Sequence, residues 1–122
     1  MALQDIEGFV VDYYELLHSQ DLGLFDRLFH PAASLFNCDG TTVKTLSLQD
    51  YRRVLEGRKS PAELGHARSG KVVGVDLLSP VMAVVRVEGV LFGNLLRDHL
   101  NIVRANGAWQ IVAMTYTVVG PA

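Results

Sequence analysis

The chain is 122 residues long, 49% hydrophobic and 20% charged, with a formal net charge of −2, which suits one packed domain over 1–122 and excludes a disordered chain. The small acidic excess excludes a nucleic-acid partner, whose phosphates call for a clear basic surplus. The single cysteine, Cys38, excludes an internal disulfide and points to a reducing, cytoplasmic setting.

In chain order, the opening Met1-Ala-Leu-Gln-Asp-Ile-Glu lacks both the positive charge and the apolar run of a signal peptide. No apolar stretch nears the ~18 residues of a membrane span, so no membrane partner is expected. Ile6, Phe9, Val10, Tyr13, Leu16 and Leu17 recur at three- and four-residue steps and predict a first helix. Asp21 is placed to cap a second, with apolar positions at Leu24, Phe25, Leu28 and Phe29, ending near His30 because Pro31 disfavours helical backbone before it. A short strand is expected over 33–37, then a turn at Asp39-Gly40 into 42–46. Ser47-Leu-Gln-Asp50 is an approximate capping box opening a third helix that stops at Gly57. After a loop over 58–65, in which Ser60-Pro-Ala-Glu63 suits one capped turn, the chain turns to strand over about 66–78, 81–92, 95–105 and 108–119. The breaks are Ser79-Pro80, Gly93-Asn94 and Asn106-Gly107. Helices followed by long antiparallel strands make an α+β fold. A strongly curved, mainly antiparallel sheet around the N-terminal helices would form a cone-shaped barrel with an apolar pocket.

Tyr13-Tyr14, Asp21, Leu28-Phe29-His30-Pro31-Ala32-Ala33 and Asp98-His-Leu-Asn-Ile-Val-Arg-Ala-Asn-Gly-Ala-Trp-Gln-Ile-Val112 carry a resemblance to a known superfamily. The chain resembles the nuclear transport factor 2-like, or ketosteroid isomerase-like and polyketide cyclase-like, domains over nearly its whole length. It is most similar there to the group called putative lumazine-binding proteins, with His99 at a usually aromatic position. Compared with the isomerases, the resemblance puts Tyr13 at the oxyanion-hole tyrosine, Asn37 at the proton-shuttling aspartate, His99 at the protonated aspartic acid and Tyr116 at a pocket-lining aromatic. An amide cannot accept a proton near neutral pH, so isomerisation by the steroid mechanism is not expected.

Tyr13 has a second reading as a core residue, and a small helix rotation exchanges it with Tyr14. His99 shares a strand face with Arg97, Asn101 and Val103, opposite Leu96, Leu100 and Ile102. One arrangement leaves His99 in water. The other turns His99 and Asn101 into the cavity and buries Leu100 and Ile102 against a second subunit, and the resemblance selects it. Asn37 could contact a ligand or finish a turn. Tyr14, Asn37, Asn101, Met114 and Tyr116 are thus the expected ligand-binding residues, with Tyr13 and His99 as candidate catalytic groups. His18, His30 and His66 lack metal-ligand spacing, so no metal is expected, nor any cofactor. Arg52, Arg53, Arg58, Lys59, Arg68 and Lys71 form a basic stretch that reads as a solvated face or, alternatively, as a partner for an anionic ligand group. Cys38 is expected to be buried and inert, and Trp109 to be a packing anchor.

The function expected is binding of a small apolar or aromatic molecule by a homodimer joined through its outer sheet face. The alternatives are an acid–base enzyme of dehydratase, isomerase or cyclase type using Tyr13 and His99, and a structural dimerisation module with a filled cavity.

Overall fold

The structure, a computed structural model, describes residues 2–122 and the side chains of 5–38 and 40–122. Helix α1 (Ala2–Ser19) buries Ile6, Phe9, Val10, Tyr13 and Leu16, the apolar stripe that its 3.6-residue period predicts. It stops at Gln20, which turns left-handed (φ 54°) and donates its N–H to the Leu16 carbonyl at 2.7 Å. Asp21 then caps α2 (Leu22–Leu28) by accepting from Leu24 N at 2.8 Å.

Strand β1 (Phe29–Asp39) is longer than the 33–37 stretch expected. It begins beside Ile111 of β6 and regains pairing only at Ser34, so Pro31 falls where no ladder needs its missing N–H. After Gly40 (φ 64°), β2 (Thr42–Ser47) leads to α3 (Leu48–Glu56). Ser47 Oγ accepts from Asp50 N at 3.1 Å as the capping pattern requires, while the short Asp50 carboxylate pairs with Arg53. In the following loop Ser60 and Glu63 bond reciprocally, and the Ala62 N–H donates to the His18 carbonyl, tying this segment to α1.

The remaining strands are β3 (Lys71–Ser79), β4 (Met82–Leu91), β5 (Asn94–Ala105) and β6 (Ala108–Pro121). Residues 66–70, expected in strand, lie before β3. The His66 N–H instead closes a turn onto the Pro61 carbonyl. The sheet order is β2-β1-β6-β5-β4-β3, antiparallel except where β1 runs parallel to β6. Register shifts in β1/β6, β3/β4 and β5/β6 add twist and bend the sheet into a half-open cone that never closes. Asn106 and Gly107 both take positive φ, as a two-residue turn of this type demands. The other long hairpin turns one residue earlier than Gly93-Asn94: Phe92 (φ 51°) and Gly93 (φ 80°) are its centre, and Leu91 pairs with Asn94.

The inner face of the cone carries Ala83, Val85, Val87, Leu100, Ile102 and Ile111, which meet α1 and α2 to form the core. Among the described residues no helix is long and apolar enough to cross a membrane.

Candidate functional site

Alternation along β5 decides what the cone contains. Leu96, Asp98, Leu100 and Ile102 point inward, while Arg97, His99 and Asn101 are exposed on the outer face. The arrangement in which His99 and Asn101 enter the cavity is therefore corrected. Leu100 and Ile102 are buried in the chain's own core, and the strand's two-residue period puts imidazole 99 on the opposite side.

The inward polar residue is Asp98. Tyr13, buried on α1, donates its hydroxyl to Asp98 Oδ2 at 2.8 Å and lies 3.7 Å from the Met114 sulfur. Only 7% of Asp98 is exposed. Burial pushes its carboxyl up to about 6, against the opposing pull of the Tyr13 hydrogen bond and nearby His99. Burial, then Asp98, in turn hold the Tyr13 phenol well above its usual range. Asp98 Oδ1 has no hydrogen-bond partner among the described residues.

Above this pair opens a cavity of about 510 Å³, lined by Tyr14, Tyr51, Arg58, Asp98, Met114 and Tyr116 among mostly apolar neighbours. Of the candidate ligand-binding residues, Tyr14, Met114 and Tyr116 line this cavity, while Tyr13 lies behind it, bonded to Asp98. The Tyr14 ring lies so close over Gly70 that a Cβ there would sit 2.3 Å from its Cε1. The Tyr14 hydroxyl makes no well-formed hydrogen bond among the described residues. Burial, then Asp98, raise that phenol to about 12, with the Lys71 backbone pulling weakly the other way. Tyr51 is braced edge-on by Phe25 and Phe29 at ring separations of 5.6 and 6.0 Å. Its phenol is also raised to about 12, by burial first and then Asp98, and Arg58 opposes the rise.

Asn37 and His99 come together elsewhere. With Cys38, Arg97, Thr115 and Tyr116 they line a shallower outer depression of about 400 Å³, so Asn37 does not line the main cavity and Asn101 lines neither. Cys38 is exposed and not buried as expected, because it follows the last inward residues of β1 and its Sγ donates to the Gly40 carbonyl at 3.4 Å. Trp109 packs in the core. Among the described residues no group of three or more His, Cys, Asp or Glu could hold a metal ion.

The basic stretch divides. Arg52 pairs with Asp26 and Glu56, Arg53 with Asp50, and Arg68 with Glu15. Arg58 instead leans over the Phe92 ring, its Cζ 4.7 Å from the centroid, with Nε donating to Gln20 Oε1 at 3.1 Å. Asp98, Tyr51 and Arg58 are the residues that sequence reading did not single out as site members. Asp98 did carry a signal, since it falls in the alternating set of Leu96, Leu100 and Ile102, a carboxylate within an apolar stripe.

Three helices against a curved, unclosed six-stranded mixed sheet make this an α+β domain of the nuclear transport factor 2-like class. Residues 2–117 match the family described as "Putative lumazine-binding", and the chain belongs to that family. No curated protein sequence matches it significantly. Among solved structures it is similar to a nuclear transport factor 2-like protein of unknown function from Silicibacter pomeroyi (18% identity, TM-score 0.81, covering 95% of this chain and 94% of that one). It is also similar to a cystatin-like fold protein from Burkholderia xenovorans (17% identity, TM-score 0.71, covering 99% and 94%). A third likeness is to a putative scytalone dehydratase from Novosphingobium aromaticivorans (16% identity, TM-score 0.64, covering 98% and 85%). At these identities the likeness is one of fold.

Proposed function

We propose that this chain is a small-molecule-binding domain that seats a largely apolar, ring-bearing molecule in the cone, against Asp98. The observation that carries the reading is Asp98 Oδ1, buried at the cavity wall without a donor. Leaving a buried acceptor unmatched costs on the order of 1–3 kcal/mol, which a ligand hydroxyl or ring N–H would recover. The Tyr14 hydroxyl offers a second polar contact. A volume of about 510 Å³ lies within the usual range of small-molecule sites. A flat bicycle of the lumazine kind, with N–H groups on its edge, suits such a slot, and the family's description agrees with that choice. In this reading the chain works in the cytoplasm as a homodimer, with outward Met82, Val84 and Val103 at the joint.

The test uses N-phenyl-1-naphthylamine, an uncharged apolar probe that fluoresces when shielded from water. The wild type should bind it with saturable enhancement, and Leu46→Trp, which puts a larger side chain at a position lining the cavity, should abolish that binding. Absence of binding to the wild type, or equal binding by Leu46→Trp, overturns the proposal.

One observation favours a second reading, acid–base catalysis: a carboxyl raised to about 6 can both take and return a proton near neutral pH. Asp98 then moves the proton in place of His99, and the Tyr13 hydroxyl, bonded to Asp98 Oδ2, holds it in position.

A further inference from the structure

We infer that the cavity selects an anion: Arg58 anchors one negatively charged group, a carboxylate or sulfonate, on an otherwise apolar ring-bearing ligand whose neutral end reaches Asp98. This inference rests on the cavity being a ligand site, as proposed above.

Arg58 differs from the other arginines. Arg27, Arg52, Arg53, Arg68, Arg86, Arg97 and Arg104 each have a carboxylate within ion-pairing distance. Among the described residues, Arg58 has none, although it is half-buried and lines the cavity. A cation drawn out of water is normally matched by an opposite charge. Here its contacts are one amide oxygen and one aromatic face, and the bond it makes through Nε leaves its two terminal nitrogens without a hydrogen-bond partner among the described residues. Those nitrogens form the edge that takes a carboxylate or sulfonate in two parallel bonds.

The guanidinium is also held by residues in unusual conformations. Among the described residues, three other than glycine have positive φ: Gln20, Phe92 and Asn106. Asn106 sits in a hairpin turn where that conformation is ordinary. The other two, Gln20 and Phe92, are the two partners of Arg58. Gln20 takes it at the C-terminus of α1 and Phe92 at the centre of a hairpin turn, and both turns fix the residues that touch the guanidinium. Forming at Phe92–Gly93, one residue before Gly93-Asn94, the turn brings the Phe92 ring under Arg58.

Of the two arginines on the cavity wall, Arg58 is the one without a carboxylate partner among the described residues. Arg68, also on the wall, is held by both carboxylate oxygens of Glu15 at 3.0 and 3.1 Å, and Glu88 is paired with Arg97. Tyr51 lines the cavity together with both Asp98 and Arg58.

The experiment compares 8-anilinonaphthalene-1-sulfonate with uncharged N-phenyl-1-naphthylamine, two probes of one ring skeleton that differ by the sulfonate. Arg58→Gln should weaken the sulfonate probe about tenfold or more, the usual effect of losing a charge-assisted bond, and change the neutral probe less than twofold. Thermal melts accompany the titration, and Arg58→Met, which keeps the apolar stem over Phe92, replaces Arg58→Gln if the latter does not fold. If the variant weakens both probes equally, or neither, the anion anchor is wrong while the binding reading stands. If the sulfonate probe binds Leu46→Trp as tightly as wild type, its site lies outside the cavity and the inference falls. If neither probe binds the wild type, the binding reading fails and takes the inference with it.

Discussion

Asp98 is ionised at the expense of stability. Its carboxyl titrates near 6 in the fold against an ordinary value of 3.8, because burial opposes charge more strongly than the Tyr13 hydroxyl and His99 favour it. A raised acid holds its proton more tightly folded than unfolded, so its contribution to stability is fully present below about pH 4 and is lost as pH rises through 6. Asp98→Asn removes the ionisation and keeps an oxygen for Tyr13. The variant should therefore gain on the wild type by about 2.4 kcal/mol between pH 4 and pH 7.5, measured by urea melts at the two pH values. A gap that stays constant or narrows overturns this account. The same residue shows how far the site can be read from sequence. Alternation put Asp98 among leucines, which is visible without coordinates. The resemblance puts His99 at the inward acid, one residue from Asp98, and in a strand one residue changes the face. Arg58 was less legible still, since six neighbouring cations look alike until folding pairs Arg52, Arg53 and Arg68 with carboxylates.

Elements set where those residues stand. The loop after α3 carries Arg58 and the cavity mouth, and its rigidity comes from a single turn: Ser60 is 2% exposed, accepts from Glu63 N and bonds the Glu63 carboxylate. Ser60→Ala should lower stability by about 1–2 kcal/mol, read by thermal or urea melts, and a loss under half that would mean the turn is held by Pro61 and the Ala62–His18 bond alone. This turn, both helix caps and the helical stripe on α1 are legible because each depends on residues within a few positions of one another. The Phe92–Gly93 turn is not, since Gly93-Asn94 is the better local choice. Contacts of the Phe92 ring with Arg58 and with His66, 6.2 Å away, come from distant parts of the chain.

At the scale of the whole molecule, helices followed by long strands were enough to read the class of fold. The parallel pairing of β1 with β6 was not readable, because it joins the two ends of the chain and has no turn to announce it. If two copies meet through the outer face, the cross-strand pair Met82 and Val103, with Val84 beside them, forms the joint. Val84→Glu should then convert a sedimenting dimer to monomer at micromolar concentration, with the neutral probe still bound, whereas an unchanged sedimentation coefficient places the joint elsewhere or removes it.

The open sheet also has a consequence for handling the protein. With no seam to join its first and last ladder positions, the fold keeps two raw margins, β2 and β3. The β3 margin bears Val73 and Leu78, more than half of Leu78 lying in water, which invites a stray strand from another molecule. Two irregular steps along it, near Gly74 and near Ser79, break the line of free amides and carbonyls into pieces too short to template one. These kinks act as gatekeepers against fibrous association, so repairing them into a smooth strand would strengthen the local ladder and shorten the life of concentrated solutions.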